Sequence, residues 1–279
     1  IIGAITIGFA PVLVRLSQVG PISTGFWRVA IAFPILTLLS MRQGSTLPND
    51  EEIPAFKDYL WVLFSGILFG GDLATWHLSI HFTSIANSTL LANVSPVIIA
   101  LWGWLVLGKT PKKKLIIGLL LAIFGIAILI HPSLHMNQNT RIGDSLALIT
   151  AFFYAGYLLV LNRARRKFTT FSSMALSTFA SMLTLLLITL ISGEAFIPTT
   201  ETAWLVLIAL ALFAHILGQG LIAYALPYLS VTFSSTALLI QPMVAAMAGW
   251  FFFSEHLGAI QIIGIFIALI GIFLAKQTI

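Results

Sequence analysis

Apolar runs of about twenty residues follow one another along the whole chain, parted by short polar connections. That is the length an α-helix needs to cross the hydrocarbon of a bilayer. Ten such runs are read, over 1–16, 22–41, 59–79, 85–107, 115–131, 144–161, 172–191, 203–224, 231–253 and 259–275. Of the 279 residues, 59% are hydrophobic and 8% charged, against about 25% charged in a soluble domain. Too little polar surface exists to coat a water-soluble globule, so the expected fold class is an all-α membrane protein. Residues 1–16 lack a basic leading region and carry Pro11 and Arg15. They are expected to be a shortened first membrane helix, trimmed at its start, rather than a signal peptide. The longest connection, 42–58, is polar and contains Asp50, Glu51, Glu52, Lys57 and Asp58. The chain has no cysteine, which excludes disulfides and thiolate metal sites.

Charge then orients the spans. With the N-terminus placed in the cytoplasm, that side holds Arg42, Lys57, Lys109, Lys112, Lys113, Lys114, Arg163, Arg165, Arg166, Lys167 and Lys276. The opposite side holds Arg141 alone, while Arg15 and Arg28 fall within or near helices. Lys and Arg resist translocation, so eleven against one implies an inner-membrane protein with both termini cytoplasmic. The net charge of +5 is accounted for by these connections and does not indicate nucleic acid as a partner.

The sequence also repeats. A shift of 146 residues pairs Ser88 with Ser234, Pro96 with Pro242, Ala100 with Ala246, and Gly103-Trp104 with Gly249-Trp250. It also pairs Ile116-Ile117-Gly118 with Ile262-Ile263-Gly264, Ala122 with Ala268, and Gly125-Ile126 with Gly271-Ile272. These eleven ungapped identities include Pro, Gly and Trp, residues that an apolar composition does not favour. The chain therefore divides into repeats at 1–131 and 132–279. Five helices in each is an odd number, so the second repeat enters the membrane from the opposite side. Inverted-topology repeats of this kind are a plan used by many secondary transporters.

Two stretches carry a family resemblance. Asn-Ser-Thr-Leu-Leu, then Pro-Val, then Trp-Gly-Trp-Leu-Val-Leu-Gly occupy 87–108, and Ser-Ser-Thr-Ala-Leu-Leu-Ile-Gln-Pro through Gly-Trp-Phe-Phe-Phe-Ser-Glu occupy 234–255. Both resemble the signature of the drug/metabolite transporter superfamily, EamA type, whose five-plus-five plan extends over the whole chain. The family usually has a Glu just after this helix; Glu255 fits, and Lys109 stands there in the first repeat. The resemblance implies a carrier for amino acids, drugs or other metabolites, with nucleotide sugars and phosphorylated sugars moved by related branches.

Polar residues inside a membrane cost about 2.5–3.5 kcal/mol when charged and central, so they need partners or a watery cavity. Asp72 is the one acid deep within a run; it follows Gly70-Gly71 and shares a face with Trp76, four residues on. It reads either as a site for a substrate amine or proton, or as a partner of Arg28 or Arg15. Arg28 in turn could meet a substrate carboxylate or neutralise Asp72. His215 and Gln219 lie four apart in the eighth run, with His215 expected at the place Asp72 holds in the first repeat. Asn93 and Gln241 precede Pro96 and Pro242, where proline leaves a backbone carbonyl unbonded; these prolines are expected to act as hinges or fixed kinks. Tyr154 and Tyr157, with Trp27, could line an organic-ligand pocket or simply pack. Trp61 and Trp204 read as interface anchors, and His77 and His81 as structural. Gly66 with Gly70, Gly118 with Gly125, and Gly264 with Gly271 form small faces that could join neighbouring helices or two subunits of a homodimer.

No Walker loop, GxGxxG, HExxH, membrane aspartate pair or GxSG is present. The expectation is a non-enzymatic secondary carrier without cofactor or metal, working by alternating access. Export of amino acids or similar small amphipathic metabolites is favoured over uptake or exchange of a nucleotide derivative, because only Arg15 and Arg28 could neutralise phosphate.

Overall fold

The computed structural model describes residues 1–43, 54–106, 108, 112–134, 137–164, 167–225 and 240–276. Asp50, Glu51, Glu52, Lys109, Arg165, Arg166, Ser234 and the first part of the ninth run lie outside these residues. Every regular element among the described residues is helical. The first run is two short helices, α1 (Ile2–Gly8) and α2 (Ala10–Leu16), that meet at Phe9 because Pro11 starts the second. Then come α3 (Pro21–Gln43) and α4 (Phe56–Phe82). The fourth run is also divided, into α5 (Ile85–Ala92) and α6 (Ser95–Leu105). The second repeat follows α7 (Lys113–Leu134) with α8 (Gln138–Ala164) and α9 (Thr170–Ser192). The eighth run starts as α10 (Glu201–Ala209), widens into a π-helical stretch at Leu210–Gln219 and ends as α11 (Gly220–Ala225). Two helices close the chain, α12 (Ile240–Phe253) and α13 (Ala259–Lys276).

Among the described residues, six helical stretches are long and apolar enough to cross a membrane: Pro21–Gln43, Phe56–Phe82, Ile85–Leu105 (α5 and α6 together), Gln138–Arg163, Thr170–Ser192 and Glu201–Tyr224. Ile2–Leu16, Ile240–Phe253 and Ala259–Leu274 are apolar but shorter. Large apolar side chains such as Ile191, Phe251 and Phe124 face outward, while Ser65, Ser177 and Ser181 are buried. This inversion of the soluble pattern matches a lipid surroundings, where small and hydroxylated residues hold helices together. Ser181 Oγ donates to the Gly66 carbonyl at 2.7 Å, across the α4–α9 contact that Gly66 and Gly70 make close.

The other small faces meet inside the chain. A methyl group on Gly125 would lie 2.3 Å from the Ala268 amide nitrogen, and one on Gly271 would lie 2.2 Å from that of Ala122. The 146-residue shift exchanges these two contacts, since it carries Gly125 to Gly271 and Ala122 to Ala268. Packing of α7 against α13 therefore has a local two-fold character. At this contact the sequence repeat is also a repeat in space.

Connections gather at two ends. At one, Gly20 N–H donates to Ala195 O at 3.0 Å, Thr200 Oγ1 to Gln18 at 2.7 Å, and Ile85 N–H to Glu255 at 3.0 Å. At the other, Lys167 pairs with Asp58 at 3.3 Å, Ser40 bonds Ser172 at 2.8 Å, and Arg163 lies over the Trp61 ring at 5.2 Å.

Candidate functional site

Prolines prepare the site by freeing backbone. Pro96 has no N–H to return to Ala92, so the helix breaks at Asn93–Val94 and restarts as α6. The amides of Val97 and Ile98 turn to the Val94 carbonyl, at 2.8 and 3.4 Å. Among the described residues, no backbone amide outside regular helix bonding reaches Ala92 O or Asn93 O. The Asn93 amide donates to Thr89 O at 2.9 Å. Pro242 sits in the first turn of α12, matching Pro96 at the start of α6.

This break opens onto a cavity between the repeats. Its first-repeat wall has Ile7 of α1, Arg28 of α3, Phe69, Asp72, Leu73 and Trp76 of α4, Thr89 and Ala92 of α5, and Asn93. The second repeat adds Thr150 and Tyr154 of α8, Gln219 of the π-helical stretch and Gln241 of α12. The space open to water-sized molecules is about 50 Å³, room for about four waters at roughly 10–15 Å³ each. Among the described residues its wall carries one cation, Arg28, and one anion, Asp72, which attract each other electrostatically. Among the described residues, ion pairs join Arg15 to Glu255 and Lys167 to Asp58, whereas Arg28 and Asp72 do not close into such a pair. The Arg28 guanidinium lies 6.0 Å from the centre of the Trp76 ring. Gln219 and Tyr154 both face this cavity from the second repeat.

Seven of the nine residues proposed from the sequence thus come together: Arg28, Asp72, Trp76, Asn93, Tyr154, Gln219 and Gln241. Tyr157 and His215 do not line the cavity. Tyr157 stacks behind it on Phe69, ring centres 4.7 Å apart. His215 Nε2 is engaged by Thr178 at 3.0 Å, and its ring rests 5.7 Å from Phe69, which forms the wall instead. The 146-residue shift pairs His215 with Phe69 and Asp72 with Gly218, so the second repeat has no polar counterpart to Asp72. Trp27 is remote: its indole donates to Phe196 O at 2.7 Å and its ring packs on Trp204. Thr89 and Thr150 were not expected. Each lies four residues before a cavity residue, Asn93 and Tyr154, and that i, i+4 relation is the signal that marks them.

The EamA-like transporter family matches residues 1–131 and again residues 141–276. The chain belongs to that family. An uncharacterized transporter of Archaeoglobus fulgidus is 25% identical over 96% of this chain and 93% of its own length. The pseudopaline exporter CntI of Pseudomonas aeruginosa is 25% identical over 86% of this chain and 80% of that protein. The threonine/homoserine exporter RhtA of Salmonella typhimurium is 25% identical over 91% of this chain and 87% of that protein. A solved crystal structure superposes with a TM-score of 0.65 over 98% of this chain and 96% of that one, at 17% identity, which bears on the fold alone. This EamA-like chain is a multi-pass membrane protein of a transporter family, built from two repeats.

Proposed function

We propose that the protein is a secondary carrier that exports a small amino acid or similar amphipathic metabolite across the cytoplasmic membrane by alternating access. The observation that carries this reading is the cavity at the junction of the repeats, walled by a broken helix and by opposite charges that do not neutralise each other directly. Broken helices and central charged sites are how secondary transporters build cargo sites. A nucleotide derivative fits worse, being larger and needing more than the single cavity cation.

The architecture proposed is ten spans in two inverted repeats, with both termini in the cytoplasm. Two observations support it: the exchange of the Gly125–Ala268 and Gly271–Ala122 contacts, and the gathering of connections at two ends. The relatives named as exporters of pseudopaline and of threonine and homoserine support export as the direction.

The test is flux in reconstituted proteoliposomes with radiolabelled amino acids, threonine and homoserine included. Saturable transport is expected, with Asp72→Asn and Arg28→Gln each lowering it at least tenfold while the protein stays folded. Absence of saturable flux for every compound overturns the reading, and unchanged flux in both variants overturns the site.

A further inference from the structure

Among the described residues, three side chains on the cavity wall hold polar atoms with no hydrogen-bond partner: Arg28 through Nε and Nη1, Trp76 through Nε1, and Thr89 through Oγ1. Their residues are only 1%, 7% and 3% exposed. A buried donor left unpaired is costly, and such groups are normally satisfied. Other unpaired buried atoms, among them Ser173 Oγ and His215 Nδ1, line no part of this cavity.

What the three share is chemistry. Guanidinium and indole nitrogens donate only, so whatever satisfies them must accept. Thr89 can donate as well. Helical threonines here commonly hand the hydroxyl proton to the carbonyl one turn back, as Thr37, Thr75, Thr150 and Thr184 do. Thr89 does not, which leaves its hydroxyl available to the cavity.

We propose that Arg28, Trp76 and Thr89 form a carboxylate-binding pole, that Asp72 takes an ammonium at the opposite pole, and that the cargo is accordingly a small zwitterion. The proposal rests on the carrier reading above and names its substrate class. A guanidinium matches a carboxylate in charge and planarity. A phosphate fits poorly, because one Arg half-neutralises a dianion and Asp72 repels it. An amine without a carboxylate leaves all three donors unmet. Thr89 is then the specificity element that Arg28 alone does not supply: a neutral hydroxyl that counts only when an acceptor group is present.

The test uses the purified full chain in detergent, with binding followed by thermal shift and titration, and vesicle flux for compounds that bind. The probes are the proteinogenic amino acids, the matched amino alcohols lacking the carboxylate, and the matched 2-hydroxy acids lacking the amine. Amino acids are expected to bind best and amino alcohols at least tenfold more weakly. Thr89→Val, equal in shape but without the hydroxyl, weakens amino-acid binding about tenfold, the scale of one hydrogen bond to a charged group. It weakens amino-alcohol binding less, because a neutral hydroxyl is a poorer acceptor than a carboxylate, and Thr89→Ser restores the loss. Arg28→Gln removes carboxylate recognition altogether; if that variant does not fold, the Thr89 pair carries the test. Amino alcohols binding as well as amino acids, or Thr89→Val leaving amino-acid binding intact, overturns the carboxylate pole while leaving the carrier reading standing. No binding or flux from any probe class overturns the cavity as a cargo site, and the pole with it.

Discussion

Arg15 at the end of α2 donates through Nη1 to the carboxylate of Glu255, which follows α12. The same guanidinium donates through Nη2 to the carbonyls of Ile80 and Thr83, at 2.6 and 2.8 Å. Glu255 in turn accepts from the Ile85 amide at 3.0 Å. One ion pair thereby ties the first helix, the α4–α5 turn and the end of α12 into a single knot. Glu255 has a local task here, and Lys109, which the 146-residue shift pairs with it, is of opposite charge.

Removing either charge should loosen that knot. Glu255→Gln and Arg15→Gln are each expected to cost about 1.5–3 kcal/mol, the range for hydrogen bonds to charged groups. The double variant should cost clearly less than the two added together, because both remove the same interaction. Thermal denaturation in detergent measures this, and strict additivity would show that the pair is not coupled.

The α7–α13 contact should tolerate no added methyl group. Gly271→Ala would place a Cβ 2.2 Å from backbone. It is expected to destabilise by about 1–3 kcal/mol, the usual cost of overpacking. Gly220→Ala, whose added Cβ meets its nearest atom at 4.0 Å, serves as the control and should be neutral or stabilising. Equal melting temperatures for the two variants would contradict the packing described.

His215 and Gln219 should separate experimentally although they lie four residues apart. His215 bonds Thr178 away from the cavity, so His215→Ala should lower stability and leave KM for cargo within about twofold. Gln219 lines the cavity, so Gln219→Ala should raise KM, by about tenfold if it loses one cargo hydrogen bond. The reverse pattern in vesicle flux would put the imidazole in the site.

Sidedness is open to chemical labelling because the chain has no cysteine. In intact cells, a membrane-impermeant maleimide should modify Arg141→Cys, and should reach Lys112→Cys only after permeabilisation. Labelling of Lys112→Cys in intact cells would refute the charge-based orientation.

Much of this protein was legible in the sequence because its solvent is lipid. Hydropathy marks helices one at a time, and a 146-residue shift needs no coordinates to be seen. Most cavity residues were legible for the same reason: a polar group in an apolar run must be accounted for. The sequence left open the cases where a side chain's direction mattered. His215 and Trp27 carry polar atoms as Gln219 and Tyr154 do, yet Thr178 engages the His215 Nε2 and the Phe196 carbonyl accepts from the Trp27 indole, both elsewhere. Thr89 escaped notice because a threonine in a helix ordinarily satisfies itself on its own backbone.

By itself, then, the sequence determined the class of fold, the two repeats and the polar residues that had to be explained, since each follows from local hydropathy, charge and self-similarity. Only the tertiary structure decided that Arg28 and Asp72 share a cavity without closing on each other. It also decided that Glu255 is bound to Arg15 and that the glycine faces are used within one chain. Those outcomes depend on how helices rotate, break and pack, and packing is a relation between segments that no single segment encodes.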